Sequence, residues 1–219
     1  MVDLRLYALL DPERAGGHDL AALGGEVVAG GATLVQLRDK HGSTRRLIAE
    51  TRAIKAALAP AGVPVLVNDR VDVALAAGAD GVHVGQDDMP AEDARRLLGP
   101  DAVIGLSVRT VAEAEAAPLD VLDYACVGGV FATASKDNAA APIGLAGLKA
   151  ILAVLRARAP KFPVGAIAGI DETNAGAVVA AGADGVAVIS ALSLAPDPGG
   201  AAHRLRGIVD RSLRARAAP

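Results

Sequence analysis

Short apolar runs recur along the chain, and four of them break off into polar clusters: Leu34-Val35-Gln36-Leu37-Arg38-Asp39-Lys40, Val65-Leu66-Val67-Asn68-Asp69-Arg70, Val82-His83-Val84-Gly85-Gln86-Asp87-Asp88 and Val103-Ile104-Gly105-Leu106-Ser107. Runs of this length and β-branched content predict strands buried on both faces, with polar chemistry gathered at one end of each. Strands are expected at Leu4–Leu10, Thr33–Arg38, Val65–Asn68, Gly81–Val84, Ala102–Ser107, Tyr124–Val127, Val164–Ala168 and Gly185–Ile189. Between them, helical periodicity predicts Asp19–Ala29, Thr44–Leu58, Val71–Ala77, Ala91–Leu98, Val111–Ala116, Leu145–Leu155, Asn174–Ala180 and Ala201–Arg216. Pro90 and Thr173 stand where helices are expected to begin.

An internal echo supports a repeating unit. Ala76-Ala77-Gly78-Ala79-Asp80-Gly81-Val82 recurs letter for letter at Ala180-Ala181-Gly182-Ala183-Asp184-Gly185-Val186, 104 residues later. Ala29-Gly30-Gly31-Ala32-Thr33-Leu34-Val35 is a weaker relative. Each reads as a helix ending on glycine, a tight turn and a buried strand. Eight β-α units in 219 residues give an α/β chain folded as a single (β/α)8 TIM barrel, one domain over residues 1–219. The competing fold, a doubly wound open sheet, lacks the Gly-x-Gly-x-x-Gly turn after its first strand.

Composition narrows the partners. Net charge is −3, so nothing general attracts nucleic acid or an anionic membrane, and an anion site has to be built locally. Lys40 and Lys136 are the two lysines in polar strand-end segments. The single cysteine, Cys126, lies in an apolar run and suits a reducing, cytoplasmic setting. Neither a signal peptide nor an apolar stretch of the roughly 20 residues a spanning helix requires is found.

Candidate chemistry collects at the strand ends. Gln36, Arg38 and Lys40 alternate and so face one side, where a guanidinium and an ammonium can grip a diphosphate. The same pattern also fits a structural layer in which neighbouring carboxylates neutralise both cations. Asp69 and Asp88 end adjacent strands about 4.8 Å apart and are able to share a hard cation. Helix capping by Asp69 and by Asp87 or Asp88 is the structural alternative. Gly169 and Ser190 end the last two strands, where barrels of this class hold phosphate on backbone N–H groups; ordinary tight turns explain them too. The longest loop, Phe131 to Gly144, is polar and sits at the active end. His83 reads as a packed, satisfied side chain, and no serine-nucleophile elbow, paired-cysteine motif or Walker loop is present.

Taken in order, these motifs resemble the thiamine-phosphate synthase family. The likeness runs through Gln36-Leu37-Arg38-Asp39-Lys40, Asn68-Asp69-Arg70, His83-Val84-Gly85-Gln86-Asp87-Asp88, Gly105-Leu106-Ser107, Thr133-Ala134-Ser135-Lys136-Asp137, Gly144-Leu145, Ala168-Gly169-Ile170 and Val188-Ile189-Ser190. The resemblance implies a Mg²⁺-dependent barrel that joins hydroxymethylpyrimidine diphosphate to thiazole phosphate and releases pyrophosphate. By the same likeness Gln36, Arg38, Lys40, Asn68, Ser107 and Lys136 bind the pyrimidine diphosphate. Arg38, Lys40, Lys136 and Ser107 carry the catalysis, and Asp69 and Asp88 hold the metal. Thr133, Ala134, Ser135, Gly169, Ile189 and Ser190 surround the thiazole phosphate. The resemblance leaves the oligomeric state open.

Four positions depart from that pattern. Gly129 and Ala132 stand where the family has prolines, Ser135 replaces a threonine, and Ala168 replaces the first of two glycines. Loss of both prolines is expected to loosen the loop. Two rivals remain. A thiazole tautomerase on the same barrel carries a histidine where this chain has Gly129, and a non-catalytic phosphate sensor has no need of an intact metal pair beside a diphosphate grip.

Overall fold

The computed structural model describes residues 2–133 and 141–217. Eight parallel strands close into a barrel in sequence order: β1 (Leu6–Leu10), β2 (Leu34–Leu37), β3 (Val65–Asn68), β4 (Gly81–Val84), β5 (Val103–Val108), β6 (Tyr124–Val127), β7 (Val164–Ile167) and β8 (Gly185–Val188). The closing pair is β1 with β8, in the register Tyr7 to Ala187. The helices between them are α1 (Leu20–Ala29), α2 (Thr44–Leu58), α3 (Val71–Ala77), α4 (Ala91–Leu98), α5 (Val111–Ala116), α6 (Gly144–Arg158) and α7 (Ala175–Ala180). Two more follow β8, the short α8 (Ser190–Ser193) and the long α9 (Pro198–Ala217). Every expected strand and helix is present, within a few residues at the ends. Two 3-10 turns, at Pro12–Arg14 and Ala59–Ala61, and α8 were not among the expected elements. Pro90 does precede α4, whereas α7 is preceded by Asn174 rather than Thr173.

The strands alternate between two apolar volumes because successive side chains point to opposite faces. Outward residues such as Leu6, Leu10, Val35, Leu37, Val65 and Val67 pack under the helices. Inward residues, among them Tyr7, Leu9, Leu34, Leu66, Tyr124 and Cys126, fill the barrel itself. With strands buried on both sides, near-continuous apolar runs are what the fold demands.

The repeated Ala-Gly-Ala-Asp-Gly-Val segment has a physical purpose at the barrel's lower end. The Asp80 carboxylate accepts from the Val65 N–H at 2.8 Å, while its own N–H donates to the Val65 carbonyl at 2.9 Å. Asp184 does the same to Val164, at 2.9 and 2.8 Å, and Asp123 to Ile104, at 2.8 and 2.9 Å. A cation from the helix before the clamped strand completes each clamp: Lys55 on Asp80 at 2.6 Å, Arg95 on Asp123 at 2.7 Å, and Arg156 on Asp184 at 2.5 Å. Thr33 fills the fourth place, its hydroxyl accepting from the Leu6 N–H at 3.2 Å. Each even strand is thus pinned to the odd strand before it. The glycine that follows two of these aspartates is equally forced, because a Cβ on Gly81 or Gly185 would collide with the backbone of Val103 or Leu4. Among the described residues no helix is long and apolar enough to cross a membrane.

Candidate active site

At the opposite end, where the strands terminate, a cavity of about 490 Å³ opens between the loops. One wall carries Lys40, Asp69, Gln86, Asp88 and Ser107; the other carries Thr133, Gly169, Ile189 and Ser190. Nine positions from the C-terminal ends of seven strands, β2 to β8, therefore meet around one space. A shallower groove of about 800 Å³ lies at the lower end, and its two arginines, Arg156 and Arg216, are both spent on Asp184.

The Gln36-to-Lys40 segment folds as it does because of the residue nobody would pick for catalysis. Asp39 accepts from the backbone N–H groups of His41 and Gly42 at 2.9 and 2.7 Å, turning the chain immediately after β2. A Cβ on Gly42 would crowd the Asp39 carboxylate that holds this turn. Gln36 points into the barrel with 1% exposure, below the cavity, and donates from Nε2 to the Tyr7 hydroxyl; its Oε1 has no partner. Arg38 and Asn68 lie at the ends of β2 and β3 but do not line the cavity. Arg38 pairs with Asp11, a buried carboxylate at the end of β1, and Lys40 pairs with Asp69. Both cations are therefore matched by carboxylates from neighbouring strands, as the structural alternative foresaw.

Capping does not explain the two acidic residues. Arg70 precedes α3 and Pro90 precedes α4, and neither helix receives a side-chain cap. Asp69 instead adopts φ +60°, a left-handed conformation that costs an L-residue about 1–2 kcal/mol and that Asp and Asn tolerate best. Its carboxylate lies close enough to that of Asp88 for the two to act on one another. Burial pushes the Asp69 carboxyl above its ordinary value, against the pull of Lys40, and the Asp88 carboxylate adds to the rise. Asp88 accepts from the Gly85 N–H at 2.7 Å, which closes the loop after β4. Two adjoining hard oxygen donors at the mouth of a cavity fit Mg²⁺, which takes one or two carboxylates and completes its shell with water and phosphate. Among the described residues no group of three or more acidic, His or Cys side chains forms a fuller cage.

Below Ser107 a buried polar chain crosses the barrel. The Tyr7 and Tyr124 hydroxyls are 2.9 Å apart, Tyr124 lies 2.8 Å from His83 Nδ1, and His83 Nε2 lies 2.9 Å from Ser107 Oγ. The His83 and Tyr124 rings stack at 5.5 Å. Gly105 makes this possible, because a Cβ there would occupy the Tyr124 ring. Burial drives both phenol pKa values upward, so the hydroxyls stay protonated. His83 is satisfied, as its place in an apolar strand suggested. Asp11, Tyr7 and Tyr124 were missed. The available signal was that the chain has only two tyrosines, both inside strands of otherwise aliphatic sequence.

On the far wall Ala168 sits at φ +92° and Gly169 at φ +63°. A Cβ on Gly169 would run into the Ala132 carbonyl, so the β7 loop and the β6 loop pack backbone to backbone. Gly129 has φ +74°, which the ring of a proline, held near −65°, cannot reach. The departure at 129 therefore changes the backbone path rather than merely freeing it. The described loop stems are tied down: Ile143 and Gly144 donate to the Gly129 and Val130 carbonyls at 2.9 and 3.0 Å, and Phe131 donates to that of Ala168 at 3.0 Å. Arg109 adds a bond from Nη2 to the Ala141 carbonyl at 2.9 Å. Ala134, Ser135 and Lys136 lie outside the described residues.

A closed parallel barrel with its polar groups at the C-terminal rim defines the class, a TIM barrel with its working face built from strand-end loops. Residues 6–192 match the family described as thiamine monophosphate synthase. The chain is 52% identical over 215 residues to the thiamine-phosphate synthase of Agrobacterium fabrum, covering 98% of both chains. It is 48% identical over 207 residues to that of Moorella thermoacetica, covering 94% of this chain and 96% of the relative. A solved thiamine phosphate pyrophosphorylase from Pyrococcus furiosus is 37% identical, with a TM-score of 0.83 over 97% of this chain and 98% of that one. The chain belongs to the thiamine monophosphate synthase family, and its activity is thiamine-phosphate synthesis, a transferase reaction.

Proposed function

We propose that the two walls of the cavity divide the two substrates: the Lys40, Asp69, Asp88 and Ser107 side takes hydroxymethylpyrimidine diphosphate, and the Thr133, Gly169, Ile189 and Ser190 side takes thiazole phosphate. The observation that carries this is the adjoining Asp69–Asp88 pair facing a hydroxyl- and glycine-lined wall across one cavity. Arg38 and Lys40 are outnumbered by Asp11, Asp69 and Asp88, so among the described residues this side is net negative and repels a diphosphate. A divalent cation reverses that sign. When bound at Asp69 and Asp88, Mg²⁺ supplies the charge that neutralises the diphosphate and its developing negative charge.

The pyrimidine's methylene–oxygen bond breaks, both electrons leave with pyrophosphate, and the methylene carbon is left as a cation delocalised into the aminopyrimidine ring. Lys40 on the cavity wall, with Lys136 from the sequence segment between β6 and α6, stabilises the charge gathering on the leaving oxygen, and Arg38 acts from beside the cavity. The Ser107 hydroxyl adds a neutral donor. The thiazole nitrogen, held by its phosphate at Ser190 and Gly169, then gives its lone pair to the carbon. No group on the protein forms a bond to substrate, and positioning does most of the work. Gly129 has no side chain to shuttle a proton, which argues against the tautomerase reading. The lone buried thiol of Cys126 suits catalysis in the cytoplasm.

Pyrophosphate release measured with both substrates tests the assignment. It is expected to require Mg²⁺ and to stop on chelation. Release unaffected by a chelator would remove the metal from the reaction.

A further inference from the structure

Gln36, Tyr7, Tyr124, His83 and Ser107 form one unbroken hydrogen-bonded chain across the barrel floor. Four of the five are nearly inaccessible: Gln36 is 1% exposed, Tyr7 2%, Tyr124 0% and His83 8%. Such a chain has two internally consistent directions, because each hydroxyl that accepts one bond donates the next. With Gln36 Nε2 donating, as here, Tyr7 donates to Tyr124 and Tyr124 to His83 Nδ1. The imidazole proton then sits on Nε2 and is donated to Ser107 Oγ. Ser107 has used its inner lone pair, so its own O–H points outward, to the wall that carries Lys40 and Asp88. Were the amide turned over, every bond would reverse. Ser107 would donate inward to Nε2 and present only lone pairs to the cavity.

What sets the direction is the loose end. Gln36 Oε1 is buried with no partner, an arrangement that costs about 1–3 kcal/mol until a donor arrives. The amide cannot offer Oε1 to a ligand and to Tyr7 at once. A ligand carrying an N–H donor, such as the amino group of an aminopyrimidine, holds Oε1 and so keeps Nε2 on Tyr7. We infer that Tyr7, Tyr124 and His83 are positioning residues of a directional relay, through which recognition of the pyrimidine amino group at Gln36 aims the Ser107 hydroxyl at the leaving diphosphate. No proton changes owner and no bond other than hydrogen bonds is remade; only the sense of four hydrogen bonds is fixed. Gly105 belongs to the device, since it alone admits the Tyr124 ring. The inference rests on the proposed placement of the pyrimidine diphosphate at Ser107.

The test is a double-mutant cycle of Tyr124→Phe and Ser107→Ala, with kcat and KM measured for both substrates in Mg²⁺ and melting temperature as the folding control. Tyr124→Phe keeps the ring stacked on His83 and removes only the link. It is expected to lower kcat about tenfold, within the range for weakening one preorganised donor, while KM for the pyrimidine diphosphate changes less than about twofold. In the Ser107→Ala background the same substitution should cost nothing further, because its effect travels through Ser107. An equal loss in both backgrounds overturns the relay while leaving the substrate placement standing. An unaltered rate in Ser107→Ala alone overturns the placement itself. A measurement independent of any variant's folding is ¹⁵N NMR of His83 in the wild-type protein with Mg²⁺ and hydroxymethylpyrimidine diphosphate: the proton is expected on Nε2, and a proton on Nδ1 refutes the direction.

Discussion

Ala168 and Asp69 are the two non-glycine residues with positive φ among the described positions, and both lie at the mouth of the cavity. At Ala168 the side chain contributes nothing to offset the strain. Ala168→Gly should relieve it and, after the entropy glycine adds to the unfolded chain, stabilise the protein by about 0.5–1 kcal/mol. That corresponds to roughly 1–4 °C in melting temperature for a chain of this size, readable by calorimetry. Asp69 repays its strain in function. Asp69→Asn retains a residue suited to φ +60° and removes a carboxylate whose ionisation the fold opposes. A raised carboxyl pKa favours the native state fully only below the ordinary value of 3.8, and that advantage is lost as pH rises through the folded value. Metal-free Asp69→Asn is therefore expected to melt no lower than wild type at pH 7, with the comparison turning toward wild type near pH 3. Turnover should fall at least a hundredfold, and the melting-temperature rise that Mg²⁺ plus pyrophosphate gives the wild type should disappear. Ser190→Ala should raise KM for thiazole phosphate and leave kcat nearly unchanged. A change confined to the pyrimidine diphosphate would show the two walls to be interchanged.

Among the elements, the aspartate clamps decide how strands meet at the lower end. Asp123 holds the Ile104 N–H and Arg95 together, and Arg95 also donates to the carbonyls of Gly99, Ala102 and Val121 at 3.0, 2.6 and 3.0 Å. Asp123→Ala strands a backbone donor, and a loss of about 1–2 kcal/mol is expected, or roughly 2–8 °C. Asp123→Asn keeps one acceptor and should lose less. Turnover at 25 °C should be unaffected by either, because the clamps sit at the end of the barrel away from the cavity. The repeated segment was readable as helix, turn and strand. Its aspartate was not readable as a clamp, since the partner N–H belongs to a strand 15 to 20 residues earlier that only closure brings alongside.

For the whole molecule, strand order and closure convert scattered motifs into two facing walls. Buried parallel strands must be apolar along their length, so their positions were legible residue by residue; β3, β4 and β6 fall at the predicted bounds. The rim residues were legible as polar clusters closing apolar runs, while pairing, capping and turn formation explained the same clusters until the structure showed which of these applied. Hydrogen-bond partners were another matter. Asp11 neutralising Arg38, Tyr7 meeting Tyr124 across the barrel, and the left-handed turn at Asp69 depend on neighbours that are distant in sequence.

The chain by itself determined that it would fold into eight β-α units and at which of their ends the polar clusters would stand, because burial and helix periodicity are local demands that each segment meets alone. Only the tertiary structure decided which charges are paired, which carboxylates adjoin and which way the buried polar chain runs. Those are properties of through-space distance, and in a closed barrel the shortest distances join residues that the sequence keeps farthest apart.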